Sequence, residues 1–195
     1  MQLLKFSLKP LVLFSCISIF ISGCIETDVE STDYVYGNEV ERLANQFNLP
    51  SDYLKALITL ECSGRRNVPP RFEKHVYAQL KAVRNGTRKS YEGIYADDLK
   101  DASDEALKNL SKSWGPFQLM GYKCLHLKIK IDDVRGSNAL YWGVKWINDE
   151  YGLLLRSGRF EEAFRKHNTG SPTGRTHDPG YVSKGLRHMQ YFKNQ

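Results

Sequence analysis

Glu61 is the residue of this sequence that is best placed to do chemistry. It shares one helical face with Leu54, Leu57 and Ile58, because residues three or four positions apart lie on the same side of a helix. The apolar stripe that should face the core therefore ends in a carboxyl group. Burial penalises the charged form of a carboxyl group, and one that keeps its proton near neutral pH can act as a general acid. The plainer alternative is a glutamate at a helix end that turns toward water.

Several short motifs follow one another in order along the chain. They read ECSG at 61–64, SWGPFQLMG at 113–121, AFRKHNTG at 163–170 and GYV at 180–182. This ordered set resembles the lysozyme-like superfamily of lytic transglycosylases and bacterial or phage N-acetylmuramidases. The pattern of that superfamily is a helix-ending Glu-Ser-x-Gly, a Gly-x-x-Gln-x-Met turn and an Ala-x-x-Tyr-Asn-x-Gly turn. RFEKH at 71–75 also resembles the Phe-Glu-x-His element of the phage-type N-acetylmuramidases, and the resemblance covers residues 49–191.

The resemblance implies an enzyme without a cofactor that cleaves the β-1,4 bond between N-acetylmuramic acid and N-acetylglucosamine in peptidoglycan. It assigns Glu61 as the catalytic acid and base, and Glu73 as a candidate second carboxylate. The residues that it implies in substrate binding are Trp114, Gln118, Met120, His167, Asn168 and Tyr181. Two plainer interpretations stay open, Trp114 as a core aromatic and Glu73 as a residue that only stabilises a helix start.

Two reactions fit these residues. A second carboxylate across the sugar, with Glu73, Asp97 and Asp98 as candidates, could activate water and leave a reducing muramic acid, as in a muramidase. Without it, Glu61 would return as a base, deprotonate the 6-hydroxyl of N-acetylmuramic acid and form the 1,6-anhydro product of a lytic transglycosylase.

Two positions depart from the family pattern. Cys62 stands where serine is usual, which removes a hydroxyl donor beside the acid, and His167 stands where tyrosine is usual. A positively charged imidazole near Glu61 would favour the carboxylate over the acid. These departures support an alternative, a non-catalytic lipoprotein that keeps the groove and binds peptidoglycan.

The first 23 residues are typical of a secretory signal peptide. Lys5 and Lys9 precede an apolar run at 11–21, which is about half the length needed to cross a bilayer. The segment ISGC at 21–24 resembles the lipobox of bacterial lipoproteins, in which the cysteine, here Cys24, becomes the acylated first residue. A chance cysteine at the end of an ordinary cleaved signal is the alternative.

A lipid at Cys24 would anchor the protein in the bacterial envelope. Ile25 follows, and not the aspartate that retains such lipoproteins at the inner membrane, so the resemblance favours the outer membrane, facing the periplasm. Residues 24–37 are acidic and poor in aliphatic side chains, which predicts a tether between lipid and domain.

The cysteines and histidines support fewer conclusions. Cys62 and Cys124 would share a compartment that permits disulfides, and they either pair or remain two buried thiols. The histidines lack metal-ligand spacing and no His-Glu-x-x-His occurs, so we expect no metal site.

The remaining chain predicts a mainly α fold, lysozyme-like with little sheet, in a single compact domain over residues 38–195 with a sugar-binding cleft. Apolar residues recur with helical spacing at 40–47, 54–61, 72–83, 106–110, 140–151, 160–167 and 182–189. With 41% hydrophobic and 26% charged residues, the chain has the composition of a globular protein. The net charge of +6 includes no arginine-rich run, so peptidoglycan is a better partner than nucleic acid.

Overall fold

The structure is a computed structural model that describes the backbone of residues 15–195 and the side chains of residues 27–195. The predicted signal peptide (1–23) and the predicted acylation of Cys24 lie outside the described side chains, so both stay predictions.

The described chain is mainly helical, which confirms the predicted fold class. Ten helices and five short strands occur between residues 15 and 195: α1 (Ser15–Phe47), α2 (Ser51–Cys62), β1 (Arg71–Phe72), α3 (Lys74–Arg84), β2 (Ser90–Tyr91), β3 (Ile94–Tyr95), α4 (Ala96–Leu99), α5 (Asp104–Leu110), β4 (Lys112–Trp114), β5 (Leu119–Met120), α6 (Lys123–Leu127), α7 (Ile131–Arg135), α8 (Ala139–Arg156), α9 (Phe160–Thr169) and α10 (Tyr181–Lys193). Strand β4 lies between β1 and β5 in an antiparallel sheet, while β2 and β3 form a separate hairpin.

Helix α1 corrects the predicted tether. The helix continues through the acidic segment, and Val29 and Thr32 are fully buried there. The Thr32 hydroxyl lies 2.9 Å from the hydroxyl of Thr59 on α2. Val29, Thr32, Val40 and Leu43 are spaced by three, eight and three positions, so one buried face runs along α1 in the part whose side chains are described. The tether prediction is therefore wrong for residues 27–37, and the packed domain begins before residue 38.

Helix α2 is buried between α1 and α10 and carries the predicted apolar stripe. Leu54, Leu57 and Ile58 are fully buried in the main core cluster, as the helical spacing predicts. The helix ends where Ser63 takes φ +53°, and its N–H donates to the carbonyl of Thr59. Burial of this stripe fixes the end of α2 against the core.

Gly64 lets α1 approach the turn that follows Glu61. Its φ is +68°, and a Cβ placed there would lie 2.4 Å from the backbone nitrogen of Thr32. Any side chain would separate α1 from this turn, so the glycine is a packing requirement.

The three-stranded sheet brings distant motifs together. Arg71 pairs with Ser113, and Ser113 pairs with Met120. Because Arg71 and Phe72 are in this sheet, α3 begins at Lys74 and not at Phe72, where the helical stripe begins. The segment at 71–75 and the Gln118 turn are thereby neighbours.

The two cysteines do not form the candidate disulfide. Cys62 and Cys124 are free, buried thiols in different apolar clusters. Burial raises the pKa of Cys62 to about 11 and that of Cys124 to about 12, so both thiols stay protonated at neutral pH. The alternative of two buried thiols is correct.

Among the described residues, none of the helices combines the length and the apolar character that crossing a membrane requires.

Introducing a charge into the buried face of α1 tests whether this helix belongs to the domain. Val29 is 0% exposed and Tyr34 is 88% exposed. We expect Val29→Asp to lower the free energy of unfolding by about 3–5 kcal/mol, because it buries an unpaired charge. Tyr34→Asp on the same helix should change it by less than about 0.5 kcal/mol. Urea unfolding followed by circular dichroism measures both, and equal stability of the two variants would show that residues 27–37 are a tether after all.

Candidate active site

A cavity of about 430 Å³ contains most of the residues that the motifs singled out. Its lining includes, among the predicted site residues, Glu61, Glu73, Gln118, Met120, His167 and Asn168. They come from the end of α2, the start of α3, the turn between β4 and β5, and the end of α9. The fold therefore gathers segments that are far apart in the sequence around one cavity.

Glu61 is held at the cavity wall by a phenol. Its side chain is 17% exposed, and the Tyr181 hydroxyl donates to Oε1 at 2.5 Å. Burial, and then the nearby charge of Glu61, raise the pKa of Tyr181 well above its ordinary value of 10. Tyr181 therefore keeps its proton and remains a hydrogen-bond donor. Tyr181 does not line the cavity itself, but its hydroxyl holds the carboxyl group of Glu61, which does.

His167 is an oriented imidazole beside the same carboxyl group. Its Nε2 lies 3.2 Å from the carbonyl oxygen of Phe117, which can only accept, so Nε2 carries the hydrogen. Nδ1 then accepts a hydrogen bond from the Tyr151 hydroxyl at 2.8 Å. Both ring nitrogens are satisfied by neutral groups.

Burial also keeps His167 uncharged at neutral pH. Desolvation lowers the pKa of His167 from its ordinary value of 6.5, against the opposing pull of Glu61, whose Oε1 lies 3.8 Å from Nε2. The side chain is only 10% exposed. His167, which stands where tyrosine is usual, therefore does not carry the positive charge that we expected there. The reason is that the buried ring has lost its solvation.

The other carboxylates of the cavity each face a cation. Glu73 accepts a hydrogen bond from Arg71 at 2.6 Å. Glu92 lies 3.9 Å from Lys123, and Glu150 lies 3.6 Å from Lys166. No lysine or arginine nitrogen among the described side chains lies within 4.0 Å of Glu61. Glu61 is therefore the one acid of this lining whose close partners are all neutral.

The Gln118 turn is held by its own side chain. Gln118 has φ +48°, its Oε1 accepts from the Ser113 hydroxyl at 2.7 Å, and its Nε2 donates to the carbonyl of Gly115 at 3.1 Å. The amide predicted to bind substrate is therefore largely used to build the turn, which leaves one N–H hydrogen directed away from these contacts. Met120, opposite Ser113 in the sheet, lines the cavity as predicted.

Two predicted site residues have other positions or roles. Trp114 does not line this cavity: it is 8% exposed, its Nε1 donates to the carbonyl of Asn109, and it borders a separate hollow. Its core interpretation is the better one because the ring side of β4 faces away from Glu61. The Asn168 side chain lines the cavity but has no hydrogen bond to a described residue, while the Thr169 hydroxyl holds the turn through the carbonyls of Arg165 and Ser171.

The candidate carboxylates Asp97 and Asp98 are also outside the cavity. Both border a different hollow near α4, and Asp98 caps that helix by accepting from the N–H of Tyr95. Glu73 is thus the one of the three proposed second carboxylates that shares a cavity with Glu61.

Sequence reasoning missed the role of Tyr151. It ends the apolar stripe of α8 and is 4% exposed, which is typical of a core aromatic. Its backbone is not helical, with φ −150° and ψ 18°, so α8 is kinked at the residue whose hydroxyl reaches His167. The available signal was a polar group, the phenol of Tyr151, at the end of an apolar stripe, just as the carboxyl group of Glu61 ends another stripe. The kink has no signature in the sequence.

Among the described residues, no group of three or more histidine, cysteine or acidic side chains is arranged to hold a metal ion. Comparison with protein-family models, with curated proteins and with solved structures found no match to this chain.

The buried imidazole predicts a pH-dependent stability. Because the pKa of His167 is lowered in the folded protein, the unfolded chain binds more protons below about pH 6.5, and stability falls as the pH falls through that range. We expect His167→Gln to reduce the slope of unfolding free energy against pH between pH 6.5 and 5 by up to about 1.4 kcal/mol per pH unit.

Urea unfolding at several pH values measures this slope. His177→Gln is the matched control, because His177 is exposed in the loop before α10. If the slopes of the His167→Gln protein and the wild type coincide, the imidazole is not held neutral by the fold.

Proposed function

We propose that this protein cleaves the β-1,4 bond between N-acetylmuramic acid and N-acetylglucosamine in peptidoglycan, with Glu61 as the general acid. The observation that carries the proposal is the setting of Glu61: it is mostly buried at a cavity wall, its close partners are neutral, and the motif residues surround it. Such a setting places a single carboxyl group where it could reach the oxygen of a glycosidic bond bound in the cavity, which is the position that a general acid needs. The sequence resemblance supports the same reaction.

Glu73 is the carboxylate that we propose to complete hydrolysis. It lines the same cavity from the start of α3, whereas Glu61 stands at the end of α2. Arg71 lies 2.6 Å from Oε1 of Glu73, and the Glu73 side chain is 35% exposed, so its carboxylate can contact a water from the solvent. Glycoside hydrolysis uses two carboxyl groups that flank the glycosidic bond, and an acid and a base on different elements fit that arrangement. The proposed product is a reducing muramic acid.

The lytic transglycosylase outcome is the second candidate. Arg71 donates to Oε1 of Glu73, so only the other oxygen of Glu73 is free to activate a water, and the substrate's own hydroxyl is the alternative nucleophile. In that case Glu61, once it has given up its proton, would act as the base on the 6-hydroxyl of muramic acid. The product would then be the 1,6-anhydro sugar, which is lighter by one water.

The two departures from the family pattern, Cys62 and His167, no longer support the non-catalytic alternative. Cys62 is a core thiol directed to the carbonyl of Arg65, and it does not line the cavity. His167 is neutral, and the phenolic donor on Glu61 comes from Tyr181 instead of the position that His167 occupies. A peptidoglycan-binding lipoprotein without activity therefore has less support than the enzyme.

We propose that the protein works at the bacterial envelope, with Cys24 as its lipid anchor at the outer membrane, facing the periplasm. Among the described side chains of α1, the first buried one is Val29, five positions after Cys24. An anchor at Cys24 would therefore hold the domain close to the bilayer, without the flexible reach of a tether.

Removing the acid is the direct test of the proposed activity. We expect Glu61→Gln to lower the release of muropeptides from purified sacculi about 100-fold or more, because the amide cannot protonate the leaving oxygen. Glu105→Gln, an exposed acid on α5 whose side chain is 67% exposed, should leave the rate unchanged. Equal release by the Glu61→Gln and wild-type proteins, or none by either, removes the catalytic assignment.

The second carboxylate is tested by rate and product together. If Glu73 activates water, Glu73→Gln should slow muropeptide release about 100-fold, and mass spectrometry of wild-type products should find reducing ends. Glu92→Gln, another carboxylate of the same cavity, should retain most of the activity. Anhydro ends from the wild type, with full activity of Glu73→Gln, would exclude hydrolysis and leave the transglycosylase outcome.

A further inference from the structure

A second hollow lies on the other side of the turn between β4 and β5. It measures about 650 Å³, and its lining includes Tyr36, Arg66, Val68, Trp114, Arg135 and Leu140. We call it the arginine hollow. Trp114, Gly115 and Pro116 of the turn border it, while Ser113 and Gln118, at either end of the same segment, line the cavity of Glu61. The two spaces are therefore separated by one short turn.

The arginine hollow is positively charged. Arg66 and Arg135 line it, and no described aspartate or glutamate does. Arg66 is exposed, and its guanidinium has no ion pair or hydrogen bond within the part of the chain that the structure describes. Arg135 lies 3.4 Å from Asp132 on its own helix, but Asp132 is 81% exposed, so that pair is weak. Both guanidinium groups are available to an anion.

The walls of the hollow are fixed by internal contacts. The Tyr36 hydroxyl donates to the carbonyl of Arg65 at 2.7 Å, which ties the loop carrying Arg66 to α1. Trp114 is held through its Nε1 at 3.0 Å from the carbonyl of Asn109, and the guanidinium of Arg135 lies 5.8 Å from the Trp114 ring. A ligand would thus meet a largely preorganised surface.

Apart from Asn67 and Ser137, the remaining lining among the described residues has no polar side chain other than the phenol of Tyr36 and the indole of Trp114. Val68, Pro69, Pro70 and Leu140 form walls between the two arginines. Such a surface suits a ligand that combines carboxylates with small aliphatic groups, because the arginine fork pairs with a carboxylate through two parallel hydrogen bonds while the walls contact methyl groups.

We propose that the arginine hollow binds a carboxylate-bearing peptide, namely the stem peptide that peptidoglycan carries on its muramic acid. This proposal rests on the proposed function, because the stem branches from the sugar that would occupy the cavity of Glu61, one turn away. The N-acetylated sugars of the glycan strand are uncharged, whereas the stem carries several carboxylates. The charge of the hollow therefore favours the stem over a continuation of the glycan.

Calorimetric titration of the full-length protein with a synthetic stem tetrapeptide tests the proposal without relying on catalysis. We expect Arg66→Ala and Arg135→Ala each to weaken binding about tenfold, because each removes one charge-assisted pair. Arg187→Ala is the matched control: Arg187 is exposed on α10 and lines neither space, so its variant should bind as the wild type does. Equal affinity of all four proteins, or no binding by any, overturns the proposal.

Two further titrations identify what the hollow recognises. The same peptide with its carboxylates converted to amides should bind at least tenfold more weakly to the wild type, and wild-type affinity for it would overturn the charge argument. An oligomer of N-acetylglucosamine alone, which has no carboxylate, should bind Arg66→Ala and wild type equally, and a parallel loss would assign the hollow to sugar.

The Glu61→Gln protein separates this inference from the proposed function. It should bind the tetrapeptide with wild-type affinity although its release of muropeptides is greatly lowered, since Glu61 does not line the arginine hollow. Peptide binding lost in the arginine variants, together with a wild type that never cleaves sacculi, would uphold the hollow and remove the enzyme. Cleavage without peptide binding would do the reverse.

Discussion

The hydrogen bond from Tyr181 to Glu61 joins the last helix of the chain to the end of α2. Both groups are mostly buried, and 120 positions separate them in the sequence. A buried carboxyl group needs a hydrogen-bond partner, and the phenol of Tyr181 satisfies one oxygen of Glu61 without adding a charge. An arginine or lysine at the same place would put a second charge beside the acid. The chemistry proposed for Glu61 therefore depends on the kind of partner that the fold delivers.

The imidazole of His167 is likewise a buried polar group whose hydrogen-bond partners are neutral. It lies close enough to Glu61 to form an ion pair, but burial keeps it neutral, and its two nitrogens are satisfied by Tyr151 and the Phe117 carbonyl. The cost of desolvating a charge thus exceeds the attraction of the nearby carboxylate. The kinked helix α8 and the turn before Gln118 supply these partners. The neutral state of His167 is therefore a consequence of packing.

Helix α1 contributes to the site although it contains none of its residues. Its backbone packs against Gly64, directly after the turn that ends α2, and its Tyr36 holds the next carbonyl of that loop. The loop then leads to Arg71 and Glu73 in the cavity lining. Residues 27–37, which have the composition of a tether, therefore support one wall of the Glu61 cavity and one wall of the arginine hollow.

Much of this arrangement is visible in the sequence. The stripe that ends in Glu61 follows from helical spacing alone, and local patterns also mark the turns at Gln118 and after α9. Charged side chains along residues 27–47 conceal the buried face of α1, because composition averages over a helix whereas burial acts on one side of it. Likewise, no local pattern distinguishes Trp114 on one side of a strand from Ser113 on the other until the sheet has a core beneath it.

The amino-acid sequence by itself determined the mainly helical fold, the position of Glu61 at the end of an apolar stripe and the order of the motifs, since each of these depends on spacing within a few turns of chain. Tertiary structure alone decided that Glu73 shares the cavity, that His167 is neutral, that Cys62 and Cys124 stay apart, and that Tyr181 meets Glu61. Those outcomes depend on burial and on distances between segments far apart in the sequence. Solvation energies and long-range contacts of this kind exist only once the helices have packed.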